Sequence, residues 1–260
     1  MTDWTGLSAA IAKAEAAGCT LGVAAIAPGG DRFAHNGDRR FVAASTVKIA
    51  IMLELFRRID AGQDSLDGIH VLKPEDRATG GGVVKELHPG LAFTVADLCY
   101  LMMAISDNTT TNILIERVGM AAVNAAMRSL GMERSCLGRI MRGRPVAAAE
   151  QENWSIPAEF ADLVAAILAG RAASAQSCAD MVAMFERQTN DRRIARHLPR
   201  GENRPRWGSK TGSLTGVVND VGFIITPKGP LVLAVYCEIA DPNDGEAVIG
   251  AVARAALAAA

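Results

Sequence analysis

Apolar residues follow two rhythms along this chain. Near the start, TLGVAAIA (20–27) is a short unbroken apolar run, closed by PGGD and answered by RFAHNG (32–37), which predicts a β-hairpin. Toward the end, GVVNDVGFIIT (216–226), the turn PKGP and LVLAVYCEIA (231–240) predict a second hairpin. Between them the apolar spacing is helical, over 45–60, 94–106, 109–118, 121–130, 157–169 and 178–188, with glycine and proline in the joining loops. An alanine-rich helix over 7–18 is expected to stop at Gly18. The closing run, 246–260, has an apolar face of Val248, Ile249, Val252 and Leu257.

Strands therefore gather at the two ends and helices fill the middle. The fold class this predicts is α+β: an antiparallel sheet built from both chain ends and flanked by the terminal helices, with a large inserted all-α lobe. The expected division is 1–40 plus 205–260 for the sheet lobe and 41–204 for the helical lobe. The two form one structural unit, with the site at their interface.

Composition narrows the function classes. A chain of 260 residues, half of them apolar and about a fifth charged, can bury a substantial core. A net charge of −1 offers no general attraction to nucleic acid or to an anionic membrane. No apolar run reaches the ~18 residues of a membrane span. The first twenty residues lack a basic segment followed by an apolar one, so a cytoplasmic location is expected. Cys19, Cys99, Cys136, Cys178 and Cys237 are scattered and odd in number, which predicts reduced structural thiols and no metal site. No cofactor is called for, and the pattern leaves the oligomeric state open.

Candidate chemistry begins in AASTVKIAIML (43–53). Ser45 and Lys48 stand three apart, close enough to meet on one helix face. A serine in a first helical turn also lies among free N–H groups that favour negative charge. The bland alternative is a capping serine and a surface lysine. Against it, the helix is apolar nearly all round, and a lysine embedded there would have its pKa depressed and could act as a base. Farther on, polar residues from Ser106 to Asn112 follow an apolar helix, more than capping requires, and predict a polar cleft wall. In WGSKTGSLTG (207–216) the lysine lacks the preceding glycine of a phosphate loop; a glycine-bearing edge strand is expected instead.

S-x-x-K, S-D-N and K-T-G, in that order and each once, form a known set. With them the chain resembles the penicillin-recognising serine hydrolases, most closely the class A β-lactamases. The resemblance implies that Ser45 is the nucleophile and Lys48 its activating neighbour. It implies that Ser106 relays a proton to the leaving group, while Lys210 holds Ser106 and a substrate carboxylate. Asn108 would bond the acyl side chain, with Thr211 and Gly212 also binding substrate. The backbone N–H groups of Ser45 and Ser213 would form the oxyanion hole.

The resemblance breaks at the acidic loop E-x-x-L-N, where Met141 stands in place of the glutamate and Pro145 in place of the asparagine. Glu150 and Asn153 do not restore the motif. This leaves three readings: a hydrolase of a small-molecule amide, lactam or ester, a β-lactamase with an unusual deacylation route, or a slowly turning over penicillin-binding domain. Lys48 serving both half-reactions is one substitute for the glutamate, and the sequence leaves Glu150, Glu152 or a water network open as others.

The remaining features are weaker. His35, His70, His88 and His197 are dispersed and show no ligand spacing. The basic stretch 191–207 is expected to be a solvated loop, with Arg204 or Arg206 as a lesser candidate for a substrate carboxylate. No aromatic platform for nucleic acid accompanies it. The glycine run 79–87 is expected to be a mobile rim of the cleft.

Overall fold

The computed structural model describes residues 1–260. Helix α1 (Thr5–Ala16) stops before Gly18, whose φ of 97° reverses the chain into β1 (Thr20–Ile26) and β2 (Arg32–His35). A two-residue strand β3 (Phe41–Val42) precedes helix α2 (Lys48–Asp60). Strands β4 (Ile69–Val71) and β5 (Ala92–Thr94) frame a long loop. Helices α3 (Val95–Ala104), α4 (Asn108–Val118) and α5 (Met120–Ser129) follow. Strand β6 (Trp154–Ser155) leads to α6 (Pro157–Leu168) and α7 (Ala175–Glu186). The chain closes with β7 (Trp207–Leu214), β8 (Val217–Thr226), β9 (Gly229–Glu238) and α8 (Pro242–Ala259).

The main sheet is antiparallel in the order β2-β1-β9-β8-β7, so the two chain ends meet where β1 pairs with β9, Val23 opposite Val235. Both of its faces are covered. Leu21, Val23, Ala25, Leu233 and Val235 pack toward α1 and α8, whereas Ala24, Ala234, Tyr236 and Phe223 face the helical core. Two buried faces explain why β1 and β9 are unbroken apolar runs rather than alternating ones. The α+β architecture is the expected one.

Helix α2 runs through the centre of the helical core, with Lys48 to Leu53, Leu55 and Phe56 all buried. It begins later than its apolar pattern predicts. Residues Ala44–Val47 form a 3₁₀ turn, because Ala44 has a φ of 47°, outside the α region. The short pairs β3–β6 and β4–β5 lie within the stretch read as helical, since two or three residues carry too little pattern to be recognised. A larger correction concerns the basic stretch: Arg193, Ile194, Ala195 and Leu198 are buried, so this segment is not a solvated loop throughout. No helix is long and apolar enough to cross a membrane.

Candidate active site

The turn that carries Ser45 is clamped from three sides. Asn219 Nδ2 donates to Val42 O (2.8 Å) and Ala43 O (3.2 Å), Thr46 Oγ1 donates to Ala43 O (2.7 Å), and Ala43 N donates to Asn153 O (2.8 Å). These bonds hold Ala44 in its left-handed conformation, a strained one for a residue with a Cβ. Ser45 thereby faces a cleft of about 310 Å³, and its hydroxyl hydrogen-bonds to nothing within the chain. Strand β7 runs alongside. A Cβ on Gly212 would lie 2.9 Å from Ala43 O and 3.2 Å from Ser45 N, so only glycine permits this approach.

Lys48 is fully buried beneath the cleft. Its Nζ donates to Ser106 O (2.8 Å), Ser106 Oγ (3.1 Å) and Asn108 Oδ1 (3.0 Å), and not to Ser45. Burial, reinforced by the charge of Lys210 and opposed by Asp107, pushes its ammonium well below the ordinary lysine range. Ser106 is itself left-handed, with a φ of 60°, in the turn between α3 and α4. That turn also organises the glycine run. Asp107 caps α4 through Thr110 N (3.0 Å), while its other oxygen accepts from Val83 N (2.7 Å) and Val84 N (2.8 Å). Asn108 N donates to Gly81 O (3.0 Å) and its side chain to Thr79 O (2.9 Å). The run expected as a mobile rim does line the cleft, through Gly80 and Gly81, but it is tied down along its length.

Lys210 is also fully buried. Its Nζ donates to Thr211 O at 2.9 Å, not to Ser106 as the resemblance implied; Lys48 already supplies that hydroxyl. Burial, with help from Arg193 and against Asp220, brings its pKa down to about 7. Thr211 and Ser213 line the cleft, while Gly212 serves as the point of close approach.

Arg193 is the cation that the sequence did not single out. It donates to Gly212 O (2.9 Å), Asn219 O (2.7 Å) and Ser213 Oγ (2.6 Å), tying β7 and β8 to the loop before them. In the sequence it is one arginine among many. Arg204 and Arg206 are engaged elsewhere, with Asp191 (3.2 Å) and Glu186 (2.7 Å), and neither lines the cleft. His35 and His70 pair with Glu15 and Asp76, also away from it.

The wall opposite β7 is the loop from Gly138 to Asn153. Asn112 holds Met141 by both backbone groups, accepting from its N (2.8 Å) and donating to its O (2.9 Å). Glu152 is the single acidic residue lining the cleft, and Arg139 occupies both its oxygens at 3.0 Å. Glu150 lies behind and takes two bonds of 2.9 Å from Arg144 and one of 3.0 Å from Ala147 N. These partners hold its carboxyl at about 2.

An α+β scaffold that brings an unpartnered serine hydroxyl, a buried amine of lowered basicity and a strand edge to one cleft defines a serine hydrolase. Comparison with known proteins narrows the class. The chain belongs to the Beta-lactamase enzyme family, whose model matches residues 6–260. It is 30% identical to Beta-lactamase FAR-1 of Nocardia farcinica over 86% of this chain and 72% of that protein. The crystal structure of a beta-lactamase from Sphaerobacter thermophilus matches with a TM-score of 0.95 and 56% identity, over 98% of this chain and 96% of that one. An ancestral (GNCA) class A beta-lactamase matches with a TM-score of 0.89 and 33% identity, over 98% of this chain and the whole of the other.

Proposed function

We propose that this serine hydrolase cleaves an amide, lactam or ester bond of a small molecule through an acyl-enzyme on Ser45, with Lys48 as the base in both half-reactions. The observation that carries this reading is the fate of the loop carboxylates: Glu152 is saturated by Arg139, and Glu150 is held too acidic by Arg144 to accept a proton near neutrality. Lys48 is the buried base that remains beside the serine turn.

A neutral Lys48 amine keeps two N–H donors, which Ser106 O and Asn108 Oδ1 accept. The third contact then reverses, the Ser106 hydroxyl donating to the nitrogen lone pair. In acylation the Lys48 lone pair turns from the Ser106 hydroxyl to Ser45, takes the proton of Ser45 Oγ, and that oxygen bonds to the substrate carbonyl carbon. That proton moves through Ser106 Oγ to the leaving nitrogen or oxygen as the scissile bond breaks. In deacylation water adds to the acyl carbon, Lys48 takes its proton, and the proton returns to Ser45 Oγ as the ester bond breaks. The N–H groups of Ser45 and Ser213 receive the oxyanion in each step. Asn108 and Thr211 flank the substrate, and protonated Lys210 attracts a carboxylate on it.

The names of the relatives support a lactam as one substrate. Intact-mass spectrometry with benzylpenicillin and a fluorophosphonate probe tests the assignment. Probe labelling that maps to Ser45 is expected; labelling elsewhere would overturn it. Rapid penicillin loss with a transient adduct would favour the β-lactamase reading, and a persistent adduct the penicillin-binding one. Gly212→Ala is expected to slow labelling of Ser45 by about tenfold, because its Cβ separates the two oxyanion donors, each of which is worth at most ~10²–10³ in rate. A labelling rate equal to wild type would show that the close approach of β7 is not needed.

A further inference from the structure

Met141 is followed by Arg142, Gly143, Arg144 and Pro145, all of which line the cleft. This segment is built into the wall. Gly143 (φ 61°) packs against Gly80 (φ 94°) so tightly that a Cβ on either would lie 2.5 or 2.7 Å from the other's Cα. Thr79 Oγ1 donates to Arg142 O, and Asn112 grips Met141 just before it. The two arginines are therefore presented on the side of the cleft that also carries Asn108 and the glycine run.

The charges there do not balance. Three guanidiniums, Arg139, Arg142 and Arg144, share two carboxylates, Glu150 and Glu152. Glu152 is committed to Arg139. Glu150 is bonded bidentately by Arg144 and lies 3.4 Å from Arg142 Nε. Arg139 Nη1 is buried and donates to nothing, with Glu150 Oε2 4.0 Å away. A second carboxylate reaching Arg142 and Arg144 would find planar donors suited to bidentate binding. Glu150, displaced from them, would have the orphaned Arg139 Nη1 to turn to.

We propose that Arg142 and Arg144, which line the cleft, form a subsite for an anionic group, a carboxylate, on the acyl part of the substrate, which competes for them with Glu150, their partner from behind the cleft wall while the cleft is free. The natural substrate class is then an acidic acyl compound: an amide, lactam or ester whose acyl chain ends in a carboxylate. This rests on the acyl-enzyme reading given above, and it assigns specificity to a loop that lacks a free catalytic carboxylate.

The test uses p-nitrophenyl esters of dicarboxylic acids of increasing chain length, each against the neutral ester of equal length. In every case Ser45 Oγ bonds to the acyl carbon, p-nitrophenolate leaves with the electron pair of the broken bond, and the serine proton goes to Lys48. The neutral esters report the acyl-enzyme reading alone; failure of both sets to acylate Ser45 would remove that reading and this one together. At the length that spans the cleft, kcat/KM for the acidic ester is expected to exceed that of the neutral one by ~10-fold, and the preference is expected to shrink as salt rises. In R142Q/R144Q the ratio should fall to about one, and in Glu150→Gln, which removes the internal competitor, it should rise. No preference at any length, a preference that survives R142Q/R144Q, or a ratio lowered by Glu150→Gln would each overturn the proposal.

Discussion

Lys48→Ala is expected to slow acylation and deacylation alike, each by ~10²–10⁴, the usual contribution of a positioned acid–base group. The reason lies in the division of labour around the cleft. A glutamate on the loop would divide the work, leaving the lysine for acylation and the carboxylate for the attacking water. Here Met141 occupies that position and both nearby glutamates are locked to arginines. Single-turnover mass spectrometry resolves the two steps: adduct formation and adduct decay should both be slow. An adduct that decays at the wild-type rate would show that another group activates the water. The pH dependence has a defined sign. Lys48 acts as a base only when neutral, so the rate should rise with pH through its lowered pKa. For a substrate that presents a carboxylate to Lys210, kcat/KM should then decline above about 7, where Lys210 loses its charge.

Asp107→Ala is expected to cost about 3 kcal/mol of stability, because it removes one helix cap and leaves two further N–H donors unsatisfied in a buried turn. Urea unfolding measures this, and a loss below about 1 kcal/mol would show that the turn re-forms its bonds with water. Asp107→Asn, which keeps one acceptor oxygen, should fall between the two. Asp107 also supports the charged form of Lys48. Its removal should therefore lower the lysine pKa further and move the rising limb of the rate profile to lower pH. A limb that stays in place while stability falls would separate the two roles of this carboxylate.

Much of the scaffold was legible because its signals are local. The apolar face of α8 and the glycine stop after α1 are written in neighbouring residues. The unbroken apolar runs of β1 and β9 likewise mark a sheet covered on both sides. The late start of α2 was not legible, because nothing in AAST shows that Asn219, far along the chain, holds Ala43 and sets Ala44 left-handed. Asp107 read as a helix cap, which it is. Its second oxygen, clamping Val83 and Val84, lies outside any local pattern.

The sequence by itself determined which functional groups this protein has: a serine and a lysine one turn apart, a polar turn, a glycine-bearing strand, and a loop without its expected acid. The tertiary structure decided what each group touches. It turned Lys48 onto Ser106 and Lys210 onto Thr211, buried Arg193 against β7, and tied both loop glutamates to guanidiniums. Periodicity records how one residue faces its near neighbours. The desolvation that sets the basicity of Lys48 arises only when segments distant in the chain are packed over it. The pairing of Glu150 with Arg144, six residues before it, arises only when their loop is folded back on itself.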